Sequence, residues 1–168
     1  MTKLVLQPGD LFATRSSSAL GVAIRFVQWV WSWDREAPYN HVGIITSADG
    51  KTLEARWRFK EYNINDYAAD KVLIVRHKEM TEEAFKNGMA AVAHDVGCLY
   101  PAYRIPLFLI PPLAKFKTGA GVCSEQTAEF MKGAGFMNVT YGLTPDNLAD
   151  LWRESKSMDI IFEGVWGL

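Results

Sequence analysis

The chain has 168 residues, of which 49% are hydrophobic and 22% are charged, and its formal net charge is -1. This length suits one domain with a substantial core, so we expect a single domain over residues 1–168. The near-neutral charge gives no electrostatic basis for nucleic-acid binding, and no apolar run reaches the roughly 18 residues of a membrane span. The short apolar stretch at the N-terminus does not form a secretory signal, which predicts a cytoplasmic protein with two free thiols.

The first half of the chain predicts short strands and one buried helix. Leu11–Thr14 follows a Pro-Gly-Asp turn and has the pattern of a strand. A helix over about residues 18–30 carries apolar side chains on most of its circumference, so it should be largely buried. His41–Thr46 and Thr52–Trp57 are spaced as a β-hairpin, and Lys71–Arg76 continues them as the third strand of a meander.

The second half of the chain predicts three helices and a closing strand. Thr81 caps a helix that extends to about Asp95, Cys123 opens another, and Thr144 precedes a proline-initiated third. Met158–Phe162 is a final strand. Strands followed by helices, with antiparallel hairpins, indicate the α+β class with one central sheet packed by helices.

Two apolar segments have both a structural and a functional interpretation. Trp29, Trp31 and Trp33 crowd the end of the first predicted helix, where they form either core or an aromatic rim that contacts a ligand or lipid. Ile105–Ile110 lies in a long proline-rich connection and is either a buried strand edge or the wall of an apolar groove. Burial is the favoured interpretation of the second segment.

Cys123 is the candidate nucleophile. It follows the small-residue loop Gly119-Ala120-Gly121 and begins an amphipathic helix. The first turn of a helix has unpaired N–H groups and about half a positive charge, and both favour a thiolate over a thiol. The alternative is that Cys123 is a small buried apolar side chain.

A cysteine nucleophile needs a base and a group that orients the base. His41 begins an interior strand beside a loop, which is a suitable position for a side chain that projects into a cleft. Glu54 is a carboxylate in an otherwise apolar strand, and such a group usually has a partner. Whether His41 and Glu54 share a face of the sheet depends on strand register, which the sequence leaves open.

The other two histidines support weaker interpretations. His77 lies among charged residues at a strand end, which predicts a solvated surface side chain. His94 and Cys98 are four residues apart and would share a helix face as a rival dyad, although the C-terminal end of a helix disfavours a thiolate. Apart from this pair, no close spacing of ligands indicates a metal site, and no phosphate-binding loop is present, so we expect neither metal nor cofactor.

Four motifs, in order along the chain, together resemble a known family. They are Gly9-Asp10-Leu11-Phe12, Asn40-His41-Val42-Gly43-Ile44, Leu53-Glu54-Ala55 and Val122-Cys123-Ser124-Glu125. This order is similar to that of the circularly permuted papain-like cysteine hydrolases related to the NlpC-type peptidases, and specifically to the YiiX/YaeF-like amidase group. The histidine strand precedes the cysteine helix in that group, as it does here.

The resemblance implies a papain-like permuted fold and a role for each matching residue. Cys123 would be the nucleophile, His41 the general base and later acid, and Glu54 the group that orients the imidazole. Tyr100 ends an element, Gly97–Tyr100, that is similar to a Gly-x-x-Tyr element of the group, and it would line the pocket. Asn40 and Trp33 are further substrate-binding candidates beside His41. The acidic residue usual after the tyrosine is replaced here by Pro101.

The implied activity is hydrolysis of an amide bond in a peptide, a peptidoglycan fragment or an acyl-amide. A cell-wall substrate would require delivery of a cytoplasmic protein by another route, such as phage lysis. One alternative is a lipid acyltransferase or thioesterase of the lecithin:retinol acyltransferase-like branch, whose Asn-Cys-x-His pattern is absent here. Another is a non-catalytic binding or host-interaction module on the same fold.

Overall fold

The computed structural model describes residues 4–15, 21–22, 24–25, 38–103, 121–138 and 142–167. The strands are β1 (Leu11–Thr14), β2 (His41–Ile45), β3 (Lys51–Ala55), β4 (Phe59–Asn63), β5 (Lys71–His77) and β6 (Met158–Val165). The helices are α1 (Glu82–Val92), α2 (Cys123–Gly133) and α3 (Pro145–Glu154), with short 3-10 helices at Ile64–Tyr67 and Ala93–Asp95. A helix is expected over residues 18–30. The structure describes residues 21, 22, 24 and 25 of this range, and all four are helical. The tryptophan cluster and Ile105–Ile110 lie outside the described residues.

The described strands form one six-stranded antiparallel sheet in the order β4-β3-β2-β1-β5-β6. The α+β class is therefore confirmed, but the predicted meander is wrong in one respect. β5 pairs with β1 and β6, and β3 pairs instead with β4, which the sequence analysis missed. β4 lies at the sheet edge and carries Lys60 and Glu61 on exposed positions, so it lacks the apolar signal of an interior strand.

Strict alternation along the strands separates two apolar clusters on opposite faces of the sheet. The helix-covered face is formed by Leu11, Ala13, Val42, Ile44, Leu53, Ala55, Leu73 and Val75, which pack against Phe130, Leu148 and Trp152 of the helices. The opposite face is formed by Phe12, Ile45, Val72 and Ile74 together with Ile64, Tyr67 and Leu6. Burial of this apolar area on both faces fixes the strand register, because a slip by one residue would exchange the faces.

His77, the last residue of β5, is buried, so the expectation of a solvated surface histidine is wrong. Its ring stacks on that of Phe136 with centroids 3.7 Å apart and an interplanar angle of 14°. The backbone N–H of Glu79 donates to His77 Nδ1 at 3.2 Å. Phe136 follows α2, about sixty residues further along the chain, so the sequence around His77 could not predict that the Phe136 ring buries it. Burial lowers the pKa of His77.

We expect His77 to make the protein less stable in mild acid. The folded state holds the pKa of His77 below the unfolded value of about 6.5. The stability that the neutral, buried imidazole contributes is therefore complete above that pH, and it is lost as the pH falls through the folded-state pKa. Urea unfolding at pH 5 and pH 7 should therefore show a smaller pH dependence in His77→Gln than in wild type. His94→Gln is the control, since that side chain is mostly exposed. An unchanged pH dependence in His77→Gln would contradict the prediction.

Candidate active site

Cys123 is the first residue of α2 and is only 2% exposed. Val122 precedes the helix in an extended conformation, and its N–H donates to the carboxylate of Glu125 at 3.1 Å, which closes the first turn. The sulfur therefore lies at the positive end of the helix, where backbone N–H groups favour negative charge on a thiolate or a developing oxyanion. This is the position that the sequence predicted.

His41 and Glu54 share one face of the sheet, which settles the register that the sequence left open. Ile44 pairs with Leu53, so Gly43 lies opposite Glu54, and His41 projects on the same side as Gly43. His41 Nε2 donates to Glu54 Oε2 at 2.5 Å, and both side chains are buried. The imidazole is thereby held in one tautomer and one orientation.

Gly43 makes this arrangement sterically feasible. A Cβ at residue 43 would lie 2.6 Å from the ring of Phe12 and 2.9 Å from Glu54 Cβ. Phe12 can therefore occupy the space beside Glu54, with its ring centroid 6.2 Å from that of His41 in an edge contact. The glycine of the Asn-His-Val-Gly motif is thus required by packing around the His41–Glu54 pair.

Cys123 lies close enough to His41 to raise the pKa of the imidazole, and His41 contacts Glu54, so the three side chains belong to one site. Nε2 of His41 is engaged by Glu54, which leaves Nδ1 as the ring nitrogen without that carboxylate. By alternation His41 and Glu54 belong to the face that carries Tyr67, whereas Cys123 packs into the helix-covered cluster. His41 is the first residue of β2, so the end of this strand is where its ring interacts with Cys123 of the other cluster.

The electrostatics favour a charged His41–Glu54 pair. Burial by itself lowers the pKa of His41, but hydrogen bonds to Cys123 and Glu54 and their negative charges outweigh it and raise the pKa to about 9. Burial raises the pKa of Glu54, yet the hydrogen bond and charge of His41, with the charge of Arg56, hold it below its ordinary value. Glu54 is therefore ionised at neutral pH, and an imidazolium beside it is stabilised.

Three further side chains hold Glu54, and the sequence analysis named none of them. Thr52 Oγ1 donates to Glu54 Oε1 at 2.7 Å, and the Tyr67 hydroxyl donates to Oε2. Arg56 Nε donates to Oε2 at 3.2 Å. Thr52 and Arg56 lie two residues on either side of Glu54, so the two-residue period of a strand was a signal that could have found them. Tyr67 comes from a separate 3-10 helix and had no such signal.

The three predicted substrate-binding residues differ in what the structure describes. Tyr100 packs against the cluster that contains Cys123, and its N–H donates to the carbonyl of Trp57 at 2.9 Å. Asn40 is buried, and its Nδ2 donates to the Gly21 carbonyl at 3.0 Å, which anchors the segment that leads to His41. Trp33 lies outside the described residues. Contact of these residues with substrate stays a prediction.

The structure contradicts the rival dyad of His94 and Cys98. α1 ends at Val92, a 3-10 helix covers Ala93–Asp95, and Gly97 then adopts a positive φ of 90°. The chain leaves the helix before Cys98, so the helical face that these two residues would share does not form. His94 is instead mostly exposed and lies 3.5 Å from the carboxylate of its neighbour Asp95.

In the described ranges, no group of three or more His, Cys, Asp or Glu side chains is arranged to hold a metal ion. None of the helices in the same part of the chain is both long enough and apolar enough to span a bilayer.

The sequence matches no protein-family model and no curated protein. Its fold is similar to that of a solved structure described as the metalloprotein yiiX from Escherichia coli O157:H7, DUF1105. The TM-score is 0.62 at 15% sequence identity, and the match covers 94% of this chain and 97% of that one. At this identity the likeness concerns the fold over nearly the whole of both chains.

Proposed function

We propose that this protein is a cysteine hydrolase that cleaves an amide bond through Cys123, His41 and Glu54. The observation that carries the proposal is the buried hydrogen bond between His41 and Glu54 beside Cys123, which is itself buried at the start of a helix. A thiol, an imidazole and a carboxylate have the chemistry that a nucleophile, a general base and an orienting group require. A purely non-catalytic module is the weaker candidate, because a binding surface needs no buried histidine–carboxylate pair beside a cysteine at a helix start.

The reaction would be acyl transfer in two halves. The Cys123 thiolate attacks the substrate carbonyl carbon, and backbone N–H groups at the start of α2 stabilise the oxyanion. As the tetrahedral intermediate collapses, the C–N bond breaks and the His41 imidazolium gives its proton to the leaving amine. Water then attacks the thioester, with His41 taking a proton from it, and the carboxylic acid and free thiol are released. Glu54 stabilises the imidazolium in both halves.

We place the protein with the permuted papain-like hydrolases of the YiiX/YaeF-like group. The order of its motifs, with the histidine strand before the cysteine helix, supports this placement. The likeness in fold to yiiX is compatible with it. A peptide, a peptidoglycan fragment or an acyl-amide would be the substrate of a cytoplasmic enzyme, with a separate route to the cell wall if the substrate lies there.

A lipid acyltransferase or thioesterase is the second candidate, and an exposed apolar corner beside the site favours it. Trp57 is 72% exposed and Leu99 is 65% exposed. The bridge between Arg58 and Leu99 joins the β3–β4 turn to the segment that carries Tyr100. Trp57 lies three residues beyond Glu54, just past the end of β3, and Leu99 is brought to the same turn by its bridge to Arg58, so both side chains are available to an acyl chain.

The proposal is tested by the rate of iodoacetamide alkylation of Cys123 between pH 5 and pH 10, followed by mass spectrometry in wild type and His41→Ala. We expect wild-type Cys123 to react well below the ordinary thiol range near pH 8.5, and His41→Ala to restore an ordinary profile. Cys98, which is half-buried and remote from a helix start, is the internal control. A profile for Cys123 that does not depend on His41 would contradict the proposed dyad.

A further inference from the structure

We propose that Arg56 is a positioning residue whose positive charge compensates the buried carboxylate of Glu54 and thereby favours the thiolate of Cys123. This inference rests on the proposed function. The ion pair of a thiolate and an imidazolium is neutral by itself, and the carboxylate of Glu54 would add an uncompensated negative charge. Arg56 supplies a compensating positive charge on the other side of Glu54 from His41, so that the signs alternate from His41 through Glu54 to Arg56.

The guanidinium of Arg56 is held in place from several directions. Its Nε donates both to Glu54 Oε2 at 3.2 Å and to the Tyr67 hydroxyl at 3.1 Å, and Nη1 donates to Asp66 at 3.0 Å. Its central carbon lies over the rings of Tyr62 and Tyr67, at 4.4 Å and 4.6 Å from their centroids. A surface arginine without a role would not need two aromatic rings and three acceptors to fix its position.

The alternating charges have a direct consequence for the nucleophile. An excess negative charge in a buried site favours uptake of a proton, and Glu54 and Cys123 are the groups that can take one, Cys123 to become a neutral thiol. Arg56 prevents this excess, because its positive charge compensates Glu54 in a region where water does so poorly. The thiolate therefore persists to a lower pH with Arg56 than without it.

Other ionisable groups around the site do not replace Arg56. Tyr67 donates to Glu54 from its 3-10 helix, and burial and the charge of Glu54 raise its pKa, so it stays neutral. Lys60 is the cross-strand neighbour of Glu54, but its ammonium lies over the ring of Tyr62. Glu125 accepts the N–H of Val122 at the start of the cysteine helix and so adds negative charge near the sulfur.

The test compares Arg56→Gln, which keeps a hydrogen-bond donor without charge, with Arg56→Lys, which keeps the charge. We expect Arg56→Gln to move the midpoint of Cys123 alkylation upward by about one pH unit, which is tenfold less thiolate at any pH below both midpoints. Arg56→Lys should restore most of the shift. Asp66→Asn, which removes the exposed partner of Arg56, is the control and should leave the midpoint nearly unchanged.

The outcomes separate this inference from the proposed function. If wild-type alkylation does not depend on His41, the proposed function fails. If it depends on His41 and a folded Arg56→Gln keeps the wild-type midpoint, only the role of Arg56 is overturned. Circular dichroism checks folding of each variant, and if Arg56→Gln does not fold, a full one-unit shift in Arg56→Lys overturns the charge argument instead.

Discussion

Cys123→Ala is expected to abolish hydrolysis of p-nitroanilide and p-nitrophenyl ester acyl donors. Loss of the nucleophile in a hydrolase of this kind costs on the order of 10⁶-fold in kcat, which places the variant at the background rate. The fold should survive, because alanine is smaller than cysteine and removes one buried sulfur at the start of α2. Release of the chromogenic product, followed by absorbance, measures the effect.

Cys98→Ala is the matched control for this variant. Cys98 lies after the 3-10 helix Ala93–Asp95, and its backbone, rather than its thiol, bonds to Asp95 and Phe59. It should retain wild-type activity. Measurable turnover by Cys123→Ala at the wild-type rate, or loss of activity in Cys98→Ala, would mean that another group is the nucleophile.

The strands and helices with strong periodicity could be predicted from the sequence, whereas their pairing could not. β1, the caps of α1 and α3 at Thr81 and Thr144, and the start of α2 all occur where the pattern placed them. The place of β5 beside β1 depends on contacts about sixty residues apart, which no local pattern encodes. β4 was missed since its charged, exposed residues carry an edge-strand pattern.

The same division holds at the candidate site. Cys123 and His41 could be chosen from their positions at element starts, and Glu54 because a carboxylate in an apolar strand needs a partner. Whether Glu54 faces His41 depended on a register that only the paired strands fix. Tyr67 reaches Glu54 through the packing of a 3-10 helix onto the sheet, so its role could not be derived from the sequence.

Glu54→Gln is expected to lower kcat by about 10⁴-fold, because a neutral amide neither stabilises the imidazolium of His41 nor enforces its tautomer. Since the charge of Glu54 helps to raise the pKa of His41 to about 9, its loss should lower that pKa. The leaving amine needs a proton from His41, so the basic limb of kcat/KM should move from near pH 9 to lower pH. Chromogenic assays between pH 5 and pH 10 measure both effects.

A stability measurement separates this catalytic role from a general loss of structure. The amide in Glu54→Gln has one oxygen acceptor in place of two, so it can keep the hydrogen bond from Thr52 or that from Arg56 but not both. We therefore expect a loss of about 1–3 kcal/mol in unfolding free energy, measured with urea. Glu61→Gln on β4 changes an exposed carboxylate paired with Lys51 and should alter neither activity nor stability appreciably. A folded Glu54→Gln variant with wild-type kcat and an unmoved basic limb would show that Glu54 only stabilises the fold. The imidazole of His41 would then owe its orientation to the packing of Phe12 and Tyr67.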